Sequence, residues 1–265
     1  MLTLPDEMTH ADRLGFIGDT HGDLTFTLRA IRSLSLRGVP AVVVAGDFGF
    51  VWGRDRAGLN ALSAAATELK VWLMFVDGNH EDFDALYAFP VGDDGIRWVA
   101  PRIGHLPRGS RFSIQGLRFA VMGGANSIDR WHRREGVSWW SGEQISDDDL
   151  ERLGSEPVDV LISHDAPEPL PMLDQRLRMT KKYWSLGGLA YAARGRTQFT
   201  RAFRQVRPAT AIGGHYHCFV DQVVHVEDEA GEFDCQVVLL DMNEGSGPNC
   251  AVLSIPSVAI EAFHV

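Results

Sequence analysis

The stretch V-W-L-M-F-V-D-G-N-H-E, Val71 to Glu81, runs from six apolar residues into an amide, an imidazole and a carboxylate at Asn79, His80 and Glu81. A loop leaving a buried strand needs polar side chains, but Ser or Lys would serve that purpose equally well. Asn, His and Glu together are groups that bind metals or move protons. Whether they do so here depends on recurrence.

The pattern recurs. Leu14 to Ile17 stops at Gly18-Asp19, with His21 two residues on, and the β-branched run Ala41 to Ala45 stops at Gly46-Asp47. Val158 to Ile162 stops at Ser163-His164-Asp165, and Ala209 to Ile212 at Gly213-Gly214-His215-Tyr216-His217. Short continuous apolar runs of this kind suit strands buried on both faces. Between the first three lie helical patterns, Leu24 to Leu36 (Leu24, Leu28, Ile31, Leu34) and Leu59 to Leu69. This β-α-β-α-β order predicts a sheet covered by helices. Phe112 to Ile114 and Leu117 to Met122 read as a hairpin, and Asp147 to Leu153 as a short acidic helix. Phe219 to Val226, Cys235 to Leu240 and Ala251 to Ile255 read as antiparallel strands.

Composition sets bounds. The chain has 265 residues, 45% hydrophobic and 23% charged, ordinary values for a folded protein with a sizeable core. No repeat or linker divides it, so one domain spanning residues 1–265 is expected. A net charge of -10 argues against coating extended duplex nucleic acid or an anionic membrane. Cys218, Cys235 and Cys250 are odd in number and lack C-x-x-C spacing, which disfavours a disulfide framework or a thiolate zinc site. Neither a signal peptide nor a run of roughly 18 apolar residues is visible, so a cytoplasmic location is expected.

A lone Gly-Asp after a strand is usually a turn, and a lone His-x-His is usually incidental. Five strands ending this way are not five coincidences, because ligands bind just beyond the carboxyl ends of strands in open sheets. Asp19, His21, Asp47, Asn79, His164, His215 and His217 therefore form one site. Mixed oxygen and imidazole donors without thiolate favour Mn, with Fe, Zn, Ni or Co as alternatives. Seven donors exceed what one four-coordinate ion uses. Two ions sharing a carboxylate, about 3.5–4 Å apart, use them economically.

The series D-x-H, G-D, G-N-H-E, H and G-H-x-H, from Asp19 to His217, resembles the calcineurin-like metallophosphoesterase superfamily. Gly123 to Arg130 (G-G-A-N-S-I-D-R) and Gly136 to Trp140 (G-V-S-W-W) are similar to a branch common in actinobacteria and their phages. The resemblance implies a four-layer α/β/β/α sandwich with mixed sheets. It implies one metal on Asp19, His21 and His217, a second on Asn79, His164 and His215, and Asp47 bridging. It also implies His80 as general acid and phosphate contact. Many members carry a second acid four residues after the bridging Asp, followed by Arg-Gly. Here Asp47 is followed by Phe48-Gly49-Phe50-Val51-Trp52. That leaves Asp77, Glu81, Asp82 or a backbone carbonyl to orient His80.

The segment from Asp174 to Arg207 carries nine basic residues against one acid, which suggests a basic cap over about 174–207 that attracts an anionic ester. Arg194 and Arg196 within it, and Arg130 in the loop after Gly123-Gly124, are the expected substrate contacts. The expected activity is a two-metal phosphodiesterase acting on small nucleotide-type esters. The alternatives are a phosphomonoesterase, a Ser/Thr protein phosphatase, or a non-catalytic scaffold on the same fold.

Overall fold

The computed structural model describes residues 1–53 and 55–265. Among these, the strands form two mixed sheets. The first contains β1 (Arg13–Ile17), β2 (Ala41–Val44), β3 (Trp72–Phe75), β4 (Arg97–Ala100), β5 (Ile103–His105), β12 (Cys250–Ser254) and β13 (Ala259–Phe263), in the order β13-β12-β1-β2-β3-β5-β4. The second contains β6 (Arg111–Ile114), β7 (Leu117–Met122), β8 (Val160–Ser163), β9 (Thr210–Gly213), β10 (Val220–Asp228) and β11 (Gly231–Leu239), in the order β10-β11-β9-β8-β7-β6. The interior of each sheet is parallel: β1, β2, β3 and β5 in one, β11, β9, β8 and β7 in the other. Antiparallel strands close the edges.

Strand alternation builds the layers. Phe16, Val43 and Met74 on the first sheet meet Phe119, Val121, Ile162 and Ile212 on the second, forming a core between the sheets. The next residue along each strand points the other way. Ile17, Val42, Val44, Leu73 and Phe75 pack under helices α2 (Leu24–Leu36) and α3 (Ala57–Glu68). Ala120, Met122, Leu161 and Ala211 pack under α5 (Asp147–Leu153), α6 (Pro171–Thr180) and α7 (Leu186–Val206). The result is the expected α/β/β/α sandwich. Two short helices, α1 (Asp6–Thr9) and α4 (Phe83–Tyr87), complete the set. No helix among the described residues is long and apolar enough to cross a membrane. The three cysteines are buried free thiols.

The basic segment splits into α6 and α7, and much of its charge is spent internally. Arg196, expected to contact substrate, is instead buried. Its guanidinium pairs with Asp174 at 2.7 Å and donates to the carbonyl of Pro167 at 2.7 Å, pinning α7 to α6. Arg201 pairs with Asp147 and Arg207 with Asp228, both at 2.8 Å. Arg194 is exposed on α7, its guanidinium 5.5 Å from the Tyr191 ring centroid.

Candidate metal centre

The exits of β1, β2, β3, β8 and β9 converge. Donor atoms of Asp19, His21, Asp47 and His217 all lie within 4.8 Å of one another. His21 Nε2 is 3.3 Å from Asp47 Oδ2, and His217 Nε2 is 3.3 Å from Asp19 Oδ2. On the other side of Asp47, His164 Nε2 lies 3.5 Å from Oδ1 and 3.0 Å from Asn79 Oδ1. The His215 ring centroid is 5.0 Å from that of His164, and its backbone N–H donates to Asp19 Oδ1 at 3.0 Å. All seven donors expected from the sequence meet at this edge.

Local backbone shape brings them there. His21, Asp47, His215 and His217 have φ of 46°, 48°, 68° and 48°, in the left-handed region that costs non-glycine residues of order 1–3 kcal/mol each. Such conformations concentrate where side chains must be aimed at a common point. Gly78 is equally constrained: a Cβ there would stand 2.0 Å from Asp47 Oδ1. The glycine of G-N-H-E lets β3 pass against the carboxylate at the centre of the cluster.

The electrostatics call for a cation. Burial alone would raise the Asp47 carboxyl, but His164, His80 and His21 outweigh it and hold the group well below the usual range. Asp47 Oδ1 accepts the His80 backbone N–H at 2.7 Å, while the buried Oδ2 faces His21 Nε2 at 3.3 Å. A buried carboxylate oxygen is costly unless something positive meets it. Burial lowers His21, yet Asp47 and Asp19 overcome this and raise it to about 9. Protons on imidazole stand in for the missing positive charge. Burial and the neighbouring His164 push His215 down to about 3, which leaves it a neutral donor. The residues fit divalent ions bound through nitrogen and oxygen.

Glu81, the last residue of G-N-H-E, serves the backbone. Its carboxylate accepts the N–H groups of Phe48 at 2.7 Å and Gly49 at 3.4 Å. Asp82 caps α4 through Ala85 and accepts the Gly53 N–H at 3.0 Å. Asp77 is buried against His105 at 2.9 Å and Arg108. None of these three carboxylates orients His80. The group that meets its ring is Arg133, whose Nη1 and Nη2 lie 2.9 and 3.1 Å from Nδ1 and Nε2. Asp129 holds Arg133 by two contacts of 2.8 Å. Arg133 lies three residues beyond Arg130, the residue expected from the same run. Arg130 itself packs among Trp131, Trp139 and Tyr191, with its guanidinium 4.4–4.9 Å from their ring centroids.

A second buried network was not legible beforehand. Asn79 Nδ2 donates to Ser127 Oγ at 3.0 Å, and Ser127 Oγ donates to Glu143 Oε2 at 2.5 Å. Glu143 also receives the Ser127 N–H and the Tyr191 hydroxyl, both at 2.9 Å. The loop after β7 and helix α7 thereby reach the end of β3.

Parallel strands of two facing sheets deliver Asp, Asn and His to one edge, a donor set that could hold a divalent metal ion. The family model for calcineurin-like phosphoesterases matches residues 12–219, and the chain belongs to that family. It is 26% identical over 174 residues to the lariat debranching enzyme of Schizosaccharomyces pombe, an alignment covering 61% of this chain and 37% of that protein. The chain thus spans little more than a third of that relative's length. Its fold is similar to the crystal structure of TT1561 of Thermus thermophilus, with a TM-score of 0.54 at 13% identity over 96% of this chain and 98% of that one. A dimetal phosphatase from Danio rerio superposes with a TM-score of 0.50 at 16% identity over 91% of each chain. At these identities the structural likeness concerns the fold.

Proposed function

We propose that the chain is a dinuclear metal-dependent phosphodiesterase acting on small, nucleotide-type esters. The observation that carries this reading is the packing of Asp19, His21, Asp47 and His217, whose donor atoms lie within 4.8 Å of one another around the buried Asp47 carboxylate. Asp19, His21 and His217 would hold one ion and Asn79, His164 and His215 the other, with Asp47 available to both. Bound divalent ions supply a strong oxygen nucleophile near neutral pH and neutralise charge on the phosphoryl group.

The chain's own groups do the rest. Asp47 and Glu81 fix the loops on either side of His80 through backbone N–H groups. His80 stands beside the cluster, its ring centroid 5.6 Å from that of His21, placed to protonate the departing oxygen. Arg133 reaches the same point with a guanidinium, which matches phosphoryl oxygens. One guanidinium at this position suits the single charge of a diester better than the two charges of a monoester. The net charge of -10 favours a small ester over duplex nucleic acid, and the free buried thiols suit the cytoplasm.

Chelation is expected to abolish hydrolysis of bis-p-nitrophenyl phosphate. Mn²⁺ should restore it better than Ca²⁺, because Ca²⁺ prefers oxygen-only sites. Full activity of metal-stripped protein would overturn the mechanism. A higher kcat/KM on mono-p-nitrophenyl phosphate would replace the diesterase by a phosphomonoesterase.

A further inference from the structure

A cavity of about 530 Å³ opens beside the metal cluster, and His21 and His80 form its inner wall. We propose that it is a nucleobase subsite, in which Trp52 supplies the stacking face and Asp55 the hydrogen-bond acceptor; the proposal rests on the phosphoesterase reading above.

The opposite wall is built from the residues that stand where many relatives were expected to carry a second acid and Arg-Gly. Phe50 and Trp52 from that loop, with Leu59 of α3, make it apolar and aromatic. The floor is backbone. Gly49 lies so close to Gly22 that a Cβ on it would come within 2.5 Å of the Gly22 nitrogen. Aromatic rings and bare backbone thus line the cavity, and flat ligands with apolar faces suit it.

Trp52 is 38% exposed, unusual for so large an apolar side chain, yet it is braced. Its ring stands edge-on to Trp140 at 5.2 Å and 87°, and Trp140 is fixed by donating from Nε1 to Asp84 at 2.9 Å. The loop is tied down at both ends, by Glu81 on Phe48 and Gly49 and by Asp82 on Gly53. Glu81 and Asp82 directly follow Asn79-His80. The stacking wall is therefore anchored to the segment that bears the reacting groups. An exposed aromatic held in this way is preorganised to receive another ring.

Charge narrows the occupant. Asp55 accepts the N–H of Ala57, the first residue of α3, at 2.9 Å, so the positive start of that helix already has its anion. A second phosphate in this cavity would be repelled by the carboxylate. A carboxylate only accepts, and it has oxygen capacity left for a ligand N–H. A neutral flat ring carrying N–H donors answers these requirements. The amino-bearing bases adenine, guanine and cytosine have them; a plain phenyl group lacks the donor.

The test compares adenosine 5′-(p-nitrophenyl phosphate) with methyl p-nitrophenyl phosphate on the Mn²⁺-loaded full chain. These esters share a leaving group and differ in the base-bearing arm. The wild type should prefer the adenosine ester by about tenfold or more in kcat/KM, the size of a base–aromatic stack. Trp52→Ala should reduce that ratio about tenfold, whereas Trp52→Phe should keep most of it; thermal melting of each variant checks folding. An equal ratio in wild type and folded Trp52→Ala, with both esters still hydrolysed, overturns the subsite and leaves the phosphoesterase reading standing. If the loaded wild type hydrolyses neither ester, that reading falls instead. Calorimetry with AMP and ribose 5-phosphate then decides the subsite: tenfold tighter AMP binding that Trp52→Ala removes supports it, and equal binding overturns it.

Discussion

Asn79 donates its side-chain N–H to Ser127 Oγ at 3.0 Å, and this hydrogen bond turns the amide oxygen toward His164 Nε2, also at 3.0 Å. The direction is enforced from behind. Ser127 spends its own proton on Glu143, so toward Asn79 it can only accept. An amide that has given its nitrogen to Ser127 presents its oxygen to the cluster. Partners of this kind behind a metal ligand typically contribute about 10–100-fold in affinity or activity. Ser127→Ala should weaken binding of one of the two proposed ions by about that factor, while Ser127→Thr, which keeps the hydroxyl, should lose less. Metal titration by calorimetry, with elemental analysis of the dialysed protein, reads the effect. Two ions held as tightly as in the wild type would show that Asn79 does not depend on Ser127.

What the sequence revealed and what it concealed follow from the range of each interaction. Strand exits were legible because buried parallel strands are unbroken apolar runs, and the polar residue ending each run is local information. Helix Leu24–Leu36 emerged with its observed limits because its apolar face repeats at helical spacing. Strand β5, three residues reading Ile-Gly-His, has no period to detect, and β13 is an edge strand with no buried residue. The partners of His80 and Asn79 were hidden for a different reason. Arg133 and Ser127 lie 53 and 48 residues away along the chain. Both sit in the irregular loop after β7, where composition offered several equivalent candidates. Arg196 misled because a basic helix face looks the same whether its charges meet solvent, substrate or Asp174.

The His21–Asp47 pair makes metal binding a proton exchange. His21 is raised to about 9, so the metal-free protein carries a proton on this ring at neutral pH. A metal ligand must be the neutral imidazole, and binding therefore releases that proton. Affinity for Mn²⁺ should rise with pH from about 6 to about 9, at up to about tenfold per unit for this one group, and then level off. Calorimetry in buffers of different ionisation enthalpy counts the protons released. An affinity independent of pH across that window would place His21 outside the metal shell.

Glu81 gives a stability signature. Burial, with the charge of Asp47 nearby, raises its carboxyl to about 8 from an ordinary value near 4.5. The folded chain thus holds the protonated form more tightly than the unfolded chain does. This contribution is fully present below the unfolded pKa and is lost as pH rises through the folded one. Glu81→Gln keeps an acceptor for the Phe48 N–H and removes the titration. Relative to this variant, metal-free wild type should lose stability between about pH 5 and 8, by at most about 1.4 kcal/mol per unit, and run parallel above. Chemical denaturation of the chelated proteins across this range measures the gap. A constant difference would mean that Glu81 is ionised throughout.

His80 and Arg133 together set the last expectation. An arginine offers only donors and a neutral imidazole has one lone pair, so one of the two close contacts between them is a hydrogen bond. Burial lowers the pKa of His80, and Arg133 adds to that against the pull of Asp47. A phosphoryl oxygen that draws the guanidinium toward itself brings negative charge to the ring, so the imidazole takes up a proton from solvent and passes it to the departing oxygen. Proton donation of this kind is typically worth about 10²–10⁴-fold where an acid is needed. p-Nitrophenolate departs readily without a proton, whereas a nucleoside alkoxide does not. His80→Ala should therefore slow hydrolysis of a dinucleotide by about that factor and hydrolysis of a p-nitrophenyl diester far less. Asn79→Ala should damage both about equally, since every substrate needs the metal it would hold. Arg133→Ala should raise KM for both esters, as loss of a phosphate contact does when binding precedes chemistry. If His80→Ala slows both esters by the same factor, His80 binds phosphate or organises the site, and the proton comes from elsewhere.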